Sequence, residues 1–149
     1  MDRYKKAKLE RVILASDHAG FKLKEVIKKF LIKKRRKVLD LGTKNSSSVD
    51  YPDYAHLLSR KMRRTQNKFG ILICGSGTGM SMTANKHKNI RAALCYDVKS
   101  TILSRLHNNA NVMTLGARLI KKNVALKCVS IFLGTHFDGG RHLRRIKKI

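Results

Sequence analysis

The chain has 149 residues, 42% of them hydrophobic, and no apolar run of the roughly 20 residues that a membrane span requires. This size and composition are typical of one globular domain over residues 1–149, with a core that needs neither disulfides nor a structural metal. The 34 Lys and Arg against 9 Asp and Glu give a net charge of +25, which excludes an acidic surface and raises the question of a polyanionic partner.

Short apolar runs alternate five times with amphipathic stretches. The predicted strands are RVILAS (11–16), KVLDLG (37–42), FGILIC (69–74), IRAALCYD (90–97) and NVMTLGA (111–117). The helical patterns cover residues 21–34, 54–65, 80–87, 99–109 and 119–134. Strands that alternate with helices predict a Rossmann-like three-layer α/β/α sandwich around a five-stranded parallel sheet. The tail, residues 135–149, has no strand of its own.

Ligands of such sheets bind outside the carboxyl ends of the strands. The residues that follow the first four predicted strands are Asp17 and His18, Tyr51, Cys74 to Gly79, and Asp97. His107 and Asn108 instead end the helix after strand four, at the opposite edge of the sheet. We therefore expect His107, if it reaches a site, to reach the site of a neighbouring subunit.

The loop Gly75-Ser76-Gly77-Thr78-Gly79 opens a helix, where free N–H groups and the helix dipole favour negative charge. One alternative is a dinucleotide fingerprint with Asp97 as its acid, but Met80 stands where the third glycine belongs. The other is a turn without a ligand, although three glycines in five residues cost backbone entropy that a plain turn does not require.

Cys74 lies between a strand and this helix N-terminus, a position that favours a thiolate nucleophile or base. The alternative is a buried small apolar residue, which is our interpretation of Cys95 and Cys128.

The three cysteines form no CxxC pair, so we expect no metal site. No apolar segment of signal-peptide length precedes the first strand, and we expect a cytoplasmic protein.

Other candidates have equally plain structural alternatives. Asp17-His18 suits a helix-capping pair as well as a ligand contact, and His107 with Asn108 suits a simple helix end. Arg141 and Arg145 are four residues apart, so in a helix they share a face that suits a phosphate, and otherwise they belong to a solvated basic tail.

The basic residues are spread over almost the whole chain, and the aromatic residues, 6% of the total, do not interleave with them. We interpret the charge mainly as lysine on solvated helix faces and expect no nucleic-acid partner, a basic nucleic-acid-binding protein on this fold being the alternative. The charge still attracts a phosphorylated substrate.

Seven segments together resemble the type B ribose-5-phosphate isomerases, a family that includes galactose-6-phosphate isomerase subunits. They are ASDHAGF (15–21), VLDLGT (38–43), DYPDYA (50–55), ILICGSGTGMSM (71–82), ANK with IRAALC (84–95), SRLHNNANVMTLGAR (104–118) and GGRHLRRI (139–146). The resemblance implies aldose–ketose isomerisation of a sugar phosphate in the pentose phosphate pathway, without metal, nucleotide or other cofactor.

The resemblance also implies roles for single residues. Cys74 is the implied base that moves a proton between C1 and C2 through an enediolate. Some family members use a glutamate a few residues later, but GMSMTAN has no carboxylate. His107 is implied to open the sugar ring. The further implied contacts are the anion hole of Gly75, Ser76, Gly77, Thr78 and Gly79, the hydroxyl contacts of Asp17, His18, Tyr51 and Asn108, and the phosphate contacts of Arg118, Arg141 and Arg145.

The family forms homodimers with shared sites, often paired as dimers of dimers. Galactose-6-phosphate isomerases generally need two different subunits, one of which lacks the complete set of residues. Because Cys74, His107 and the tail arginines occur in this one chain, we expect a self-sufficient enzyme for ribose 5-phosphate and ribulose 5-phosphate. The alternative is a six-carbon sugar phosphate, such as allose 6-phosphate or galactose 6-phosphate.

Overall fold

A computed structural model describes residues 11–64 and 69–149, apart from the side chain of Arg64. Its strands are β1 (Arg11–Ser16), β2 (Lys37–Asp40), β3 (Phe69–Cys74), β4 (Ala92–Leu94) and β5 (Val112–Gly116). Its helices are α1 (Phe21–Lys33), α2 (Tyr51–Arg64), α3 (Thr78–Ala84), α4 (Val98–Leu106), α5 (Lys122–Gly134) and α6 (Gly140–Ile146). No helix in the described ranges is long and apolar enough to cross a bilayer.

The five strands form one parallel sheet in the order β2-β1-β3-β5-β4. Its central strand, β3, is buried along its whole length, as expected for an apolar run covered by helices on both faces. Cys74, the last residue of β3, pairs with Gly116 of β5. The prediction of a five-stranded parallel α/β fold is confirmed.

Alternate side chains of β3 enter two separate cores, because successive strand residues point to opposite faces. Ile71 and Ile73 pack in the core that contains buried residues of α1 and α5. Leu72 and Cys74 pack in the core that contains buried residues of α2 and α3. The side chain of Cys74 therefore belongs to the α2–α3 face of the sheet.

Several predicted boundaries were wrong. The second helix begins at Tyr51, three residues before the predicted start, because proline is accommodated in a first helical turn. Its predicted end at residue 65 lies outside the described residues. The fourth strand is only Ala92–Leu94, at an edge of the sheet.

The tail forms the helix α6, which contains Arg141 and Arg145 on one face.

Candidate active site

A cavity of about 420 Å³ opens at the carboxyl edge of the sheet. The residues that line it are Asp17, Tyr51, Cys74, Gly75, Ser76, Gly79, Arg118 and Leu119. They lie at or after the carboxyl ends of β1, β2, β3 and β5, so the parallel arrangement of the strands brings distant parts of the sequence together. Leu119 is the one lining residue that sequence reasoning missed, and an isolated leucine after a strand carries no signal of a site.

The thiol of Cys74 is held at the back of this cavity, where the residue is 4% exposed. The backbone N–H of Gly77 donates a hydrogen bond to Sγ at 3.1 Å. A donor at this distance stabilises the sulfur most when it carries negative charge. The N–H groups of the first turn of α3 have no carbonyl partner within the helix, so they add favourable dipoles beside the thiol.

Two glycines of the loop are required by its shape. Gly77 has a φ of 78°, a conformation that residues with a side chain rarely adopt. At Gly79, a Cβ atom would lie 2.5 Å from the ring of Tyr51. The glycine thus lets the tyrosine ring lie directly on the loop and form one wall of the cavity.

Asp17 is almost fully buried beside the cavity, with 6% of its surface exposed. Its Oδ1 accepts a hydrogen bond from the N–H of Gly20 at 2.9 Å, which fixes the carboxylate at the start of α1. His18 is its neighbour in sequence, but the His18 Nδ1 lies 3.2 Å from both the N–H and the C=O of Val49. His18 therefore adjoins the cavity without lining it.

Arg118 lies over the glycine loop. Its backbone N–H donates to the C=O of Gly75 at 3.0 Å, and its Nη1 would be 3.1 Å from a Cβ on Gly75. The Ser76 Oγ accepts from the N–H of Thr78 at 3.3 Å. Gly77 and Thr78 shape the loop but do not line the cavity. The cavity thus combines a cation, a carboxylate and a thiol, a set that suits a small polar ligand with an anionic group for Arg118 and hydroxyl groups for Asp17.

A second group of predicted residues lies at the amino edge of the sheet. His107 ends α4, and its ring stacks on His142 of α6 with centroids 4.2 Å apart and planes 11° apart. The N–H of Asp138 donates to the C=O of Leu106 at 3.1 Å, and the Arg105 Nε donates to the C=O of Thr135 at 3.0 Å. These bonds hold the tail against the end of α4.

The sequence carries no signal that His142 is a partner of His107, because the contact depends on how α6 packs against α4. Burial, and then the charges of His107, Arg141 and Arg145, hold the pKa of His142 below its ordinary value, although Asp138 opposes them. A neutral ring can stack on His107 without charge repulsion.

The two groups are separated by the length of the strands. A strand of five or six residues spans about 17–20 Å. Cys74 lies at the carboxyl end of β3, whereas α4 runs back along the sheet and ends near the start of β5. The cavity of Cys74 contains none of the amino-edge candidates, which are His107, Asn108, Arg141 and Arg145.

Among the described residues, one trio of side chains lies near enough together to be considered as metal ligands. It consists of His107, Asp138 and His142, whose ligand atoms all lie within 4.8 Å of one another. The two imidazole planes are almost parallel, so their nitrogen lone pairs do not converge on one point. This stacking does not favour a metal centre.

The structure also bears on the alternatives for the glycine loop. The Asp97 Oδ1 accepts from the N–H of Ser100 at 2.6 Å, so this carboxylate caps α4. Met80 is fully buried in the core, and a dinucleotide glycine would have to replace it there.

Cys95 and Cys128 are buried as predicted, and burial raises the pKa of Cys95 to about 11.

The fold and this cavity define an α/β protein with a thiol, a carboxylate and an arginine around a ligand site at the carboxyl edge of a parallel sheet. The family model described as Ribose/Galactose Isomerase matches residues 12–149. The chain belongs to this family.

Named relatives match over most of the chain. The ribose-5-phosphate isomerase B of Escherichia coli K12 is 38% identical over 141 residues, which cover 95% of each chain. A ribose 5-phosphate isomerase B from Thermotoga maritima has a TM-score of 0.91 at 49% identity, covering 93% of this chain and 96% of that one. The Mycoplasma genitalium enzyme with bound ribulose-5-phosphate has a TM-score of 0.89 at 44% identity, covering 93% and 92%.

Proposed function

We propose that this protein interconverts D-ribose 5-phosphate and D-ribulose 5-phosphate through an enediolate. The observation that carries the proposal is the Cys74 thiol, held by the N–H of Gly77 in a cavity that also contains Asp17 and Arg118. The family membership and the relatives named ribose-5-phosphate isomerase B support the same reaction.

In the proposed mechanism, the Cys74 thiolate removes the proton from C2 of the open-chain aldose. The electron pair moves onto the C1 carbonyl oxygen, and the resulting negative charge is stabilised by N–H groups of residues 75–79 and by the Ser76 hydroxyl. The O2 proton then passes to the O1 oxyanion, and the thiol returns its proton to C1 as the C2 carbonyl forms, which gives the ketose and restores the thiolate. Asp17, His18 and Tyr51 hold the sugar hydroxyls, and Arg118 attracts the phosphate.

The remaining roles belong to a second copy of the chain. We assign ring opening to His107, with Asn108 beside it, and phosphate binding to Arg141 and Arg145. Because these residues lie at the far edge of the sheet, each site requires two subunits in a homodimer, either alone or as a dimer of dimers. The proposed enzyme is cytoplasmic and requires neither a cofactor nor nucleic acid.

The first experiment is conversion of ribose 5-phosphate to ribulose 5-phosphate by purified protein in the presence of EDTA. Wild-type protein converts the sugar at an EDTA-independent rate, and Cys74→Ala lowers kcat by at least about 10²-fold, as expected for loss of a general base. Circular dichroism and substrate binding stay unchanged in the variant. Turnover at the wild-type rate by Cys74→Ala contradicts the mechanism.

The shared site is tested by mixing two inactive variants. Cys74→Ala and His107→Asn, denatured and refolded together, form mixed dimers in which one of the two sites is intact. Random pairing therefore restores about one quarter of wild-type activity, because half of the dimers are mixed. Each variant refolded alone is the control. No recovery in dimers shown to be mixed contradicts the shared site.

A further inference from the structure

Lys24 is a charged residue in the interior of the protein, with its side chain 1% exposed. Its Nζ donates to both carboxylate oxygens of Asp40, at 2.8 and 2.7 Å, and to Oε1 of Glu25 at 2.9 Å. A buried ammonium requires such anionic partners because it has lost its hydration. The position of the Nζ is therefore fixed from two sides.

The carboxylate of Asp40 stays ionised in this setting. Burial favours a higher pKa for Asp40, but the hydrogen bonds from Lys24, Lys28 and the N–H of Gly42 outweigh it and hold the pKa below its ordinary value. The ion pair is thus a persistent link between α1 and the end of β2.

Lys24 is bonded to the two segments that hold the turn from residue 16 to residue 20, which are α1 and the end of β2. Its backbone N–H donates to the C=O of Gly20 at 2.9 Å, and its side chain holds Asp40. The Oδ1 of Asp40 accepts from the N–H of Gly42 at 3.0 Å, and the C=O of Gly42 accepts from the N–H of Ser16 at 2.7 Å. The chain of contacts reaches residue 16 from one side and residue 20 from the other.

Asp17 lies inside this turn and lines the cavity of Cys74. Its carboxylate is oriented by the N–H of Gly20, which is one of the two anchored ends. We propose that Lys24 and Asp40 are positioning residues that clamp the turn from residue 16 to residue 20 and thereby orient Asp17 for the sugar. This inference rests on the proposed function, because it assigns Asp17 a contact with the substrate.

The chain offers a matched control in Lys28. Its Nζ also donates to Asp40, at 2.9 Å, but its side chain is 34% exposed and it lies one turn further along α1. Lys28→Met removes a charge from the same carboxylate but leaves in place the buried Lys24–Asp40 link, which ties the helix position bonded to Gly20 to the end of β2. A role of Lys24 in general charge balance would give both variants the same phenotype.

The test compares Lys24→Met, Asp40→Asn and Lys28→Met in the isomerase assay. The first two raise KM at least about tenfold with a smaller change in kcat, within the range that misplacing a binding group by an ångström costs. Lys28→Met changes neither constant appreciably. Equal effects of Lys24→Met and Lys28→Met overturn the proposal.

A double-mutant cycle with Asp17→Asn separates positioning from general stability. If Lys24 acts through Asp17, adding Lys24→Met to Asp17→Asn lowers kcat/KM little further. If the double variant loses kcat/KM by the product of the two single losses, the proposal is overturned. If Lys24→Met fails to fold, the cycle is measured with Asp40→Asn, which preserves the shape of the side chain.

Amide hydrogen exchange tests the clamp independently of the reaction. Lys24→Met speeds exchange of the Ser16 and Gly20 amides relative to Lys28→Met, because both amides depend on the clamped turn. Unchanged exchange at both amides overturns the clamp. Wild-type protein without isomerase activity contradicts the proposed function alone, since the exchange result still decides whether the clamp exists.

Discussion

Gly79 is the position where a single methyl group tests the shape of the site. An added Cβ would lie 2.5 Å from two ring carbons of Tyr51 and 2.9 Å from its Oη, so Gly79→Ala displaces the ring from the cavity wall. We expect KM to rise about tenfold or more, because a displaced wall misplaces the substrate. Steady-state kinetics measure this effect.

Gly134→Ala is the control for this substitution. The space around Gly134 is open, and a Cβ there meets nothing within 4 Å. Its kinetic constants should equal those of wild-type protein. Equal KM values for the two alanine variants would show that the Tyr51 ring adapts freely and does not shape the site.

Some residues at the site were predictable one by one and others were not. Asp17 follows a strand and Cys74 ends one, so the rule for parallel sheets selects both before any contact is known, whereas Arg118 came only from the family resemblance. Lys24 gave no such signal. It is one of many lysines in an amphipathic helix, and its partner Asp40 is distant in sequence, so its burial could not be predicted from the pattern.

At the scale of elements, the apolar runs predicted which segments form strands, because a run of apolar residues buried on both faces is typical of a parallel sheet. The ends of elements depend on contacts that periodicity does not contain. Tyr51 and Pro52 were interpreted as a loop, although their place in the first turn of α2 puts the tyrosine ring on Gly79. The stacking of His107 on His142 likewise depends on how α6 packs against α4.

The contact between α2 and the segment after α3 predicts a dependence of stability on pH. The His56 Nδ1 and the His87 Nε2 lie 2.7 Å apart. Burial, and then the charges of His56, Arg60 and Arg63, hold the pKa of His87 below its ordinary value of 6.5. The unfolded chain thus gains a proton at a higher pH than the folded chain does.

The contribution of His87 to the free energy of unfolding is therefore full above pH 6.5. It is lost as the pH falls below that value toward the lower pKa of the folded protein. We expect the Tm of wild-type protein to fall over this window and the Tm of His87→Asn to fall less. Differential scanning calorimetry from about pH 7.5 to 5 measures both. His136→Asn, at an exposed histidine, should follow the wild-type curve, and an equal decrease in His87→Asn contradicts the assignment.

For the whole molecule, the charge of +25 predicts a salt dependence of substrate capture. A phosphorylated sugar is attracted to a cationic protein, and ions screen that attraction. We expect KM to rise and kcat to stay nearly constant between about 0.05 and 0.5 M NaCl. A KM that does not change with salt would show that the charge has no part in binding. The control is a neutral inhibitor, whose binding should not depend on salt.

The separation of Cys74 and His107 across the sheet has a consequence for the cell that makes this protein. Under the proposed shared site, an isolated chain has no complete set of reactive groups, so turnover depends on encounters between chains. Specific activity then declines on dilution once the concentration falls below the dissociation constant of the dimer. The level of expression would set both the number of catalysts and the fraction of them that works.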